Sequence, residues 1–127
     1  MLRIAIPGPF VPYVRMTRRG KFVRPNATRY LANQERLRFE MLTAMRSMSA
    51  EMLPTRPLRV TLTFHLERIN HRCDLQNLAK SVHDAGNGII WSDDRWIDME
   101  NNTRIADAAG AGDYVEIEAG ELGEFVE

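Results

Sequence analysis

The sequence predicts a small α/β domain, a mixed β-sheet with two helices packed on one face, in the order β-α-β-α-β-β. Three observations carry this. Leu58 to Glu67 alternates strictly, with Leu58, Val60, Leu62, Phe64 and Leu66 on one side and Arg59, Thr61, Thr63, His65 and Glu67 on the other. Two stretches repeat apolar residues at three- and four-residue spacing, one ending near Ser47 and one spanning Leu75 to Ala85. Short alternating segments at both ends of the chain supply the remaining strands. At 127 residues the chain is most simply one domain, 1–127, large enough for a modest core.

Leu2 to Ile6 alternates and then meets Pro7-Gly8-Pro9, a strand with a firm stop. Residues 10–26 form a basic loop with interleaved aromatics, among them Tyr13, Arg15, Arg18, Arg19, Lys21, Phe22 and Arg24, with Arg19-Gly20-Lys21 as a hairpin tip. Basic residues mixed with rings suit a sugar-phosphate backbone. A helix is expected from Asn26 or Thr28 to Ser47, its apolar stripe being Leu31, Leu37, Met41, Leu42, Met45 and Met48. Its methionines suit irregular core gaps or a subunit interface. A linker closed by Pro54 and Pro57 precedes the strand from Leu58. Trp96 to Ala106 reads as a further strand. The turn Ala108 to Asp113 joins it in a hairpin to Tyr114–Glu118, and 121–127 reads as a frayed acidic tail.

Composition narrows the classes. No apolar run approaches a membrane span, and Met1-Leu2-Arg3-Ile4 does not open a signal peptide. Cys73 is the single cysteine, which excludes an intramolecular disulfide and fits a reducing, cytoplasmic setting. The formal net charge is zero, yet it is unevenly spread. Arg3, Arg15, Arg18, Arg19, Lys21, Arg24, Arg29, Arg36, Arg38 and Arg46 stand early, whereas only acids follow Arg104. Such asymmetry suits a basic surface for phosphate and an acidic one facing elsewhere.

The chemistry concentrates between Asn70 and Asp98. Asp74 stands at a helix N-cap, because Leu75, Leu78, Ala79, Val82 and Ala85 follow at helical spacing. The opposite face carries Gln76, Asn77, Lys80, His83 and Asp84. Gly86-Asn87-Gly88 should end the helix in left-handed backbone, and Ser92-Asp93-Asp94 follows. A polar face with one lysine, bracketed by carboxylates, suits a divalent cation held against a phosphate. Asp74 as an N-cap also stabilises a helix by ~1 kcal/mol without any chemical role. His65 and His71 fit solvated positions better than ligand positions, and His83 shares the face of Lys80.

Asp74-Leu75-Gln76-Asn77-Leu78-Ala79-Lys80, then His83-Asp84-Ala85, then Trp91-Ser92-Asp93-Asp94, resembles the motif of the RusA family of crossover (Holliday) junction endodeoxyribonucleases. That family shows Asp-x-Asp-Asn-Leu-x-Lys, a helix ending in Asp-Ala-Leu, a turn and an Asp-Asp pair. The likeness extends more loosely to Pro7-Gly8-Pro9, to Pro12 and to the strand near Ile97. Gln76 departs from it, standing where the family has its second aspartate. A glutamine carbonyl can coordinate a cation but brings no charge, so the site should bind metal more weakly or recruit another carboxylate, with Asp84, Asp93 and Asp98 as the local candidates.

The resemblance implies a Mg²⁺-dependent nuclease, with Mn²⁺ as a substitute, that resolves four-way DNA junctions in recombination and repair. Asp74, Gln76, Lys80 and Asp94 would be catalytic. Asp74, Asp94, Gln76 and Asp93 would surround the metal, and Arg15, Arg18, Arg19, Lys21, Arg24 and Arg72 would bind DNA. It also implies a homodimer and a bacterial or phage origin. Asp74 and the Asp93-Asp94 pair are expected to meet at one edge of the sheet. Two other readings stay open. One is a junction-binding protein disarmed by Gln76; the other is a dimeric adaptor working through its acidic C-terminal face.

Overall fold

The computed structural model describes residues 1–13, 25–68 and 74–125, so the expected hairpin tip at Arg19-Gly20-Lys21 lies outside the described residues. Strand β1 (Leu2–Pro7) is followed by α1 (Pro25–Ser47), β2 (Leu58–His65), α2 (Leu75–Ala85), β3 (Ile97–Ile105) and β4 (Tyr114–Glu121). Short 3-10 turns stand at Asp94–Trp96 and Leu122–Phe125. This is the predicted mixed α/β order.

The strand pairing differs from the expected hairpin. The sheet order is β1-β4-β2-β3, with β4 antiparallel to both β1 and β2 and with β3 parallel to β2. β3 and β4 therefore lie on opposite sides of β2 and do not pair. The connection between them crosses the end of β2, where Leu66 N donates to Ile105 O at 2.8 Å and Ala108 N to Leu66 O at 3.2 Å. The burial patterns explain the choice. β2 hides Leu58, Val60, Leu62 and Phe64 completely, as a central strand must, while β3 is exposed along most of its length, as an edge strand can be. β4 also runs further than its alternation suggested. Glu121 pairs with Leu58 and its carboxylate lies 3.4 Å from Arg56, so it belongs to the sheet and not to a frayed tail.

One core joins the helices to one face of the sheet. Ile4, Ile117 and Leu62 stand in register across three strands and meet Leu37, Met41 and Met45 of α1 and Leu78, Val82 and Ala85 of α2. Phe10 closes the top, edge-on to Phe64 at 5.3 Å. The other face, including Arg3, Thr61, Thr63, Glu116 and Glu118, has an open cleft of about 290 Å³, lined among the described residues by strands alone.

The stripe on α1 is displaced from the predicted one. Leu31, Leu42 and Met48 are exposed, whereas Ala27, Tyr30, Leu37, Met41 and Met45 are buried. At about 100° per residue, Leu31 and Leu42 fall almost on one line, but that line is turned away from the one through Leu37, Met41 and Met45. Two of the early arginines also serve the fold. Arg36 donates to Pro7 O and Pro9 O, and Arg38 donates to Ala85 O and Asn87 O, covering the carbonyls at the end of α2.

Candidate active site

Asp74 caps α2 as its sequence position foretold. Its backbone is extended and its Oδ1 accepts Gln76 N at 2.8 Å. Leu78, Ala79, Val82 and Ala85 are buried, while Gln76, Asn77 and Lys80 are exposed. The far end of the helix departs from expectation. Gly86 keeps right-handed helical backbone, and the left-handed residue is Gly88, at φ 78°. Gly86 is required for a different reason: a Cβ there would sit 2.6 Å from Cζ2 of Trp91. Trp91 is fully buried and its indole N–H donates to His83 O at 2.9 Å. The tight turn over residues 86–91 packs that ring under the helix end and returns the chain towards β3.

Two carboxyls meet where the chain returns. Asp93 caps the 3-10 turn, its Oδ1 accepting Arg95 N at 2.9 Å, and Asp94 then comes within hydrogen-bonding range of the Asp84 carboxyl. Burial first, and then Asp94, push the Asp84 carboxyl up to about 6, while the Tyr30 hydroxyl and the Lys80 ammonium pull it down. Tyr30, buried on α1, donates from its hydroxyl to Asp84 Oδ2 at 3.2 Å. Burial and that carboxylate push its phenol well above the ordinary tyrosine range. The Tyr30 ring stands edge-on to Tyr13 at 5.7 Å, and the Lys80 ammonium lies 3.9 Å over the Tyr13 ring. Tyr13 is itself fastened to α2, its N–H donating to Asn77 O at 3.0 Å.

The structure thus gathers Lys80, Asp84 and Asp94, with Tyr13 and Tyr30 behind them. It does not bring Asp74 to Asp94. Asp74 opens α2 and Asp84 stands in its last turn, ten residues later, which is about 15 Å along the axis. The parallel pairing of β2 with β3 accounts for this, since α2 carries the chain back along β2 before β3 starts. Gln76 stays at the Asp74 end. Asp98 is exposed at the register shift where Leu58 pairs with Ile97 and Arg59 with Met99. Among the described residues, no three His, Cys, Asp or Glu side chains are grouped as a metal cage. Arg15, Arg18, Arg19, Lys21, Arg24, His71 and Arg72 lie outside the described residues.

The sequence profile of the RusA endodeoxyribonucleases matches residues 9–118. The chain belongs to the RusA family. Members of this family are nucleases of the Holliday-junction-resolving kind that act on branched DNA and are generally dependent on a divalent metal. A direct comparison with curated proteins gave no match. No helix among the described residues is long and apolar enough to cross a membrane.

In this RusA chain the two described histidines are not solvated. His83 is buried edge-on to Trp91 at 6.0 Å, with Nδ1 3.5 Å from Glu100; burial pushes its imidazole down, against the pull of Glu100 and Asp94. It therefore does not share the exposed face of Lys80. His65 is buried, stacked on Tyr114 at 4.4 Å and flanked by Asp107, at 2.7 Å, and Glu116. Burial alone would lower its pKa, but the two carboxylates outweigh burial and raise it. Tyr30 is the site residue that sequence reasoning missed. It sits 54 positions from Asp84, and no local pattern links the two.

Proposed function

We propose that this RusA-family chain is a divalent-cation-dependent endonuclease that cuts four-way DNA junctions. The Asp84–Asp94 carboxyl pair beside Lys80, within a chain that matches the family over most of its length, carries the reading. The donor set fits the group. Two facing carboxyls offer only oxygen, which suits Mg²⁺ or Mn²⁺, and their mutual repulsion is what a cation would relieve. Asp94 and Asp84 would hold the ion, with Asp93 next in the chain. When bound, it would supply charge to polarise the scissile phosphate and to acidify an attacking water.

The chain's own residues do the rest. The Lys80 ammonium, steadied on the Tyr13 ring, faces charge that develops on the phosphate oxygens. Arg15, Arg18, Arg19, Lys21, Arg24 and Arg72 bind backbone phosphates. Attack by water in line leaves a 5′-phosphate and a 3′-hydroxyl. Asp74 and Gln76, held at the other end of α2, can serve the same centre only from a second copy. A two-fold homodimer that brought them there would match the approximate two-fold symmetry of a junction that needs paired cuts.

A second reading is a RusA-type protein that binds junctions without cutting them, favoured by the neutral Gln76 and by the absence of a three-acid cage among the described residues. End-labelled four-way junction titrated with Mg²⁺ or Mn²⁺ separates the two. The nuclease reading expects paired nicks that need the cation and are lost in Asp94→Asn while junction binding persists. Tight binding with no nick at any cation concentration leaves the binder.

A further inference from the structure

We infer that Tyr30 is a positioning residue whose hydroxyl holds the Asp84 carboxylate against Asp94, so that Asp84 supplies the acidic cation ligand that Gln76 cannot. The inference rests on the cation-dependent reading above and names the residues that complete its site. Of the carboxylates that could compensate for Gln76, Asp93 turns back onto Arg95 N as a cap and is not among the groups that act on the Asp84 carboxyl, and Asp98 is exposed at a register shift on the edge strand. Asp84 remains, and it already faces Asp94.

Its placement has an identifiable cause. An aspartate in the last turn of an exposed helix face is free to turn towards solvent. Asp84 instead accepts a hydrogen bond from a phenol reaching across from α1. That phenol has little freedom of its own, because Tyr30 is only 4% exposed and its ring is wedged against Tyr13. A single O–H donor occupies one lone pair and leaves the remaining acceptor positions of the carboxylate for an ion. Lys80, four residues earlier on the same face, keeps an opposite charge beside it. Three separate elements, α1, α2 and the 3-10 turn, therefore converge on this carboxylate, the arrangement by which outer partners orient a metal ligand.

The test is Mn²⁺ binding by the intact protein, followed by paramagnetic resonance of free Mn²⁺, alongside junction cleavage as a function of Mn²⁺. Tyr30→Phe keeps the ring and its packing and removes only the hydroxyl. It should weaken Mn²⁺ binding roughly tenfold, the factor corresponding to about 1.4 kcal/mol of hydrogen bond to a charged group. Junction affinity without cation should not change, and cleavage should recover as Mn²⁺ is raised, which a folding defect would not allow. Asp84→Asn, independent of the tyrosine, should lose binding further and should not recover. Unchanged Mn²⁺ affinity in either variant overturns the inference, as does a parent protein that binds no Mn²⁺. Cutting by all three proteins at equal Mn²⁺ demand removes the inference and leaves the nuclease reading. The expected loss of Mn²⁺ affinity in a parent that never cuts does the reverse.

Discussion

Replacing Asp94 by asparagine should make the cation-free protein more stable at neutral pH. The folded chain holds the Asp84 carboxyl at about 6 against an ordinary 3.8. A group raised in this way contributes stability fully below pH ~4 and loses it as the pH climbs to ~6, because the folded state binds the proton more tightly than the unfolded state does. Above that window the Asp84 carboxyl is charged beside Asp94 and costs stability. About two pKa units set a ceiling near ~3 kcal/mol. Burial causes part of the shift and Asp84 is only half-buried, so solvent screening reduces the share due to Asp94 to about 1 kcal/mol. Asparagine keeps the shape, removes the repulsion and can donate to the Asp84 carboxylate. For a chain of this length the gain is roughly 3–5 °C in Tm. Thermal scans of both proteins from pH 4 to 7.5 would read it, with the difference near zero at the acid end and full at the neutral end. Added Mg²⁺ should raise the parent's Tm and leave Asp94→Asn unmoved. A lower Tm for Asp94→Asn at pH 7, or equal Mg²⁺ responses, would show that the two carboxyls do not repel one another and do not share an ion.

Gly86→Ala should lower stability by roughly 1–3 kcal/mol, the usual result of overpacking, because the new methyl overlaps the buried Trp91 ring while the backbone at this position is ordinary. Tryptophan fluorescence and Tm would detect it, and an unchanged Tm would show that the 86–91 turn yields freely. Subunit mixing tests the proposed homodimer. Asp74→Asn keeps the helix cap, since asparagine caps as well as aspartate, so that variant loses charge without losing its fold. Inactive Asp74→Asn and inactive Asp94→Asn, mixed and allowed to exchange, should regain nicking at one strand, because each mixed dimer holds one complete centre. No recovery in proteins shown to exchange would rule out a centre shared between copies.

The elements were legible because each rests on a local period. The alternation of Leu58 to His65 and the stripe of Leu78, Val82 and Ala85 are local facts, and the structure keeps them. Pairing is not local. Nothing between Ile105 and Tyr114 reveals that the chain passes over β2 before turning back, so the nearest two strands read as a hairpin. The site shows the same division. Asp74 as a cap and Asp94 as an acidic position beside a turn are visible in short windows. That α2 holds them apart follows from β2 and β3 being parallel, which is a long-range choice. His65 read as solvated because it falls on the open side of an alternating strand; Tyr114, Asp107 and Glu116, which bury it, come from far along the chain.

Asp84 also stands where helix electrostatics give it no support. The last turn of a helix carries partial negative charge, and an acidic side chain there costs about 0.3–1 kcal/mol where a basic one would contribute as much. Arg38 relieves part of this by donating to Ala85 O and Asn87 O, but it bonds the carbonyls and not the carboxylate. A second carboxyl from Asp94 then adds to the same negative end. Local folding energetics would remove either acid. Three terms act in the same unfavourable direction, half-burial, a like charge and a helix C-terminus, and the cation proposed above would relieve all three. Lys80 cannot play that part alone, because it is exposed and held over Tyr13, and the Asp84 carboxyl stays raised with Lys80 present.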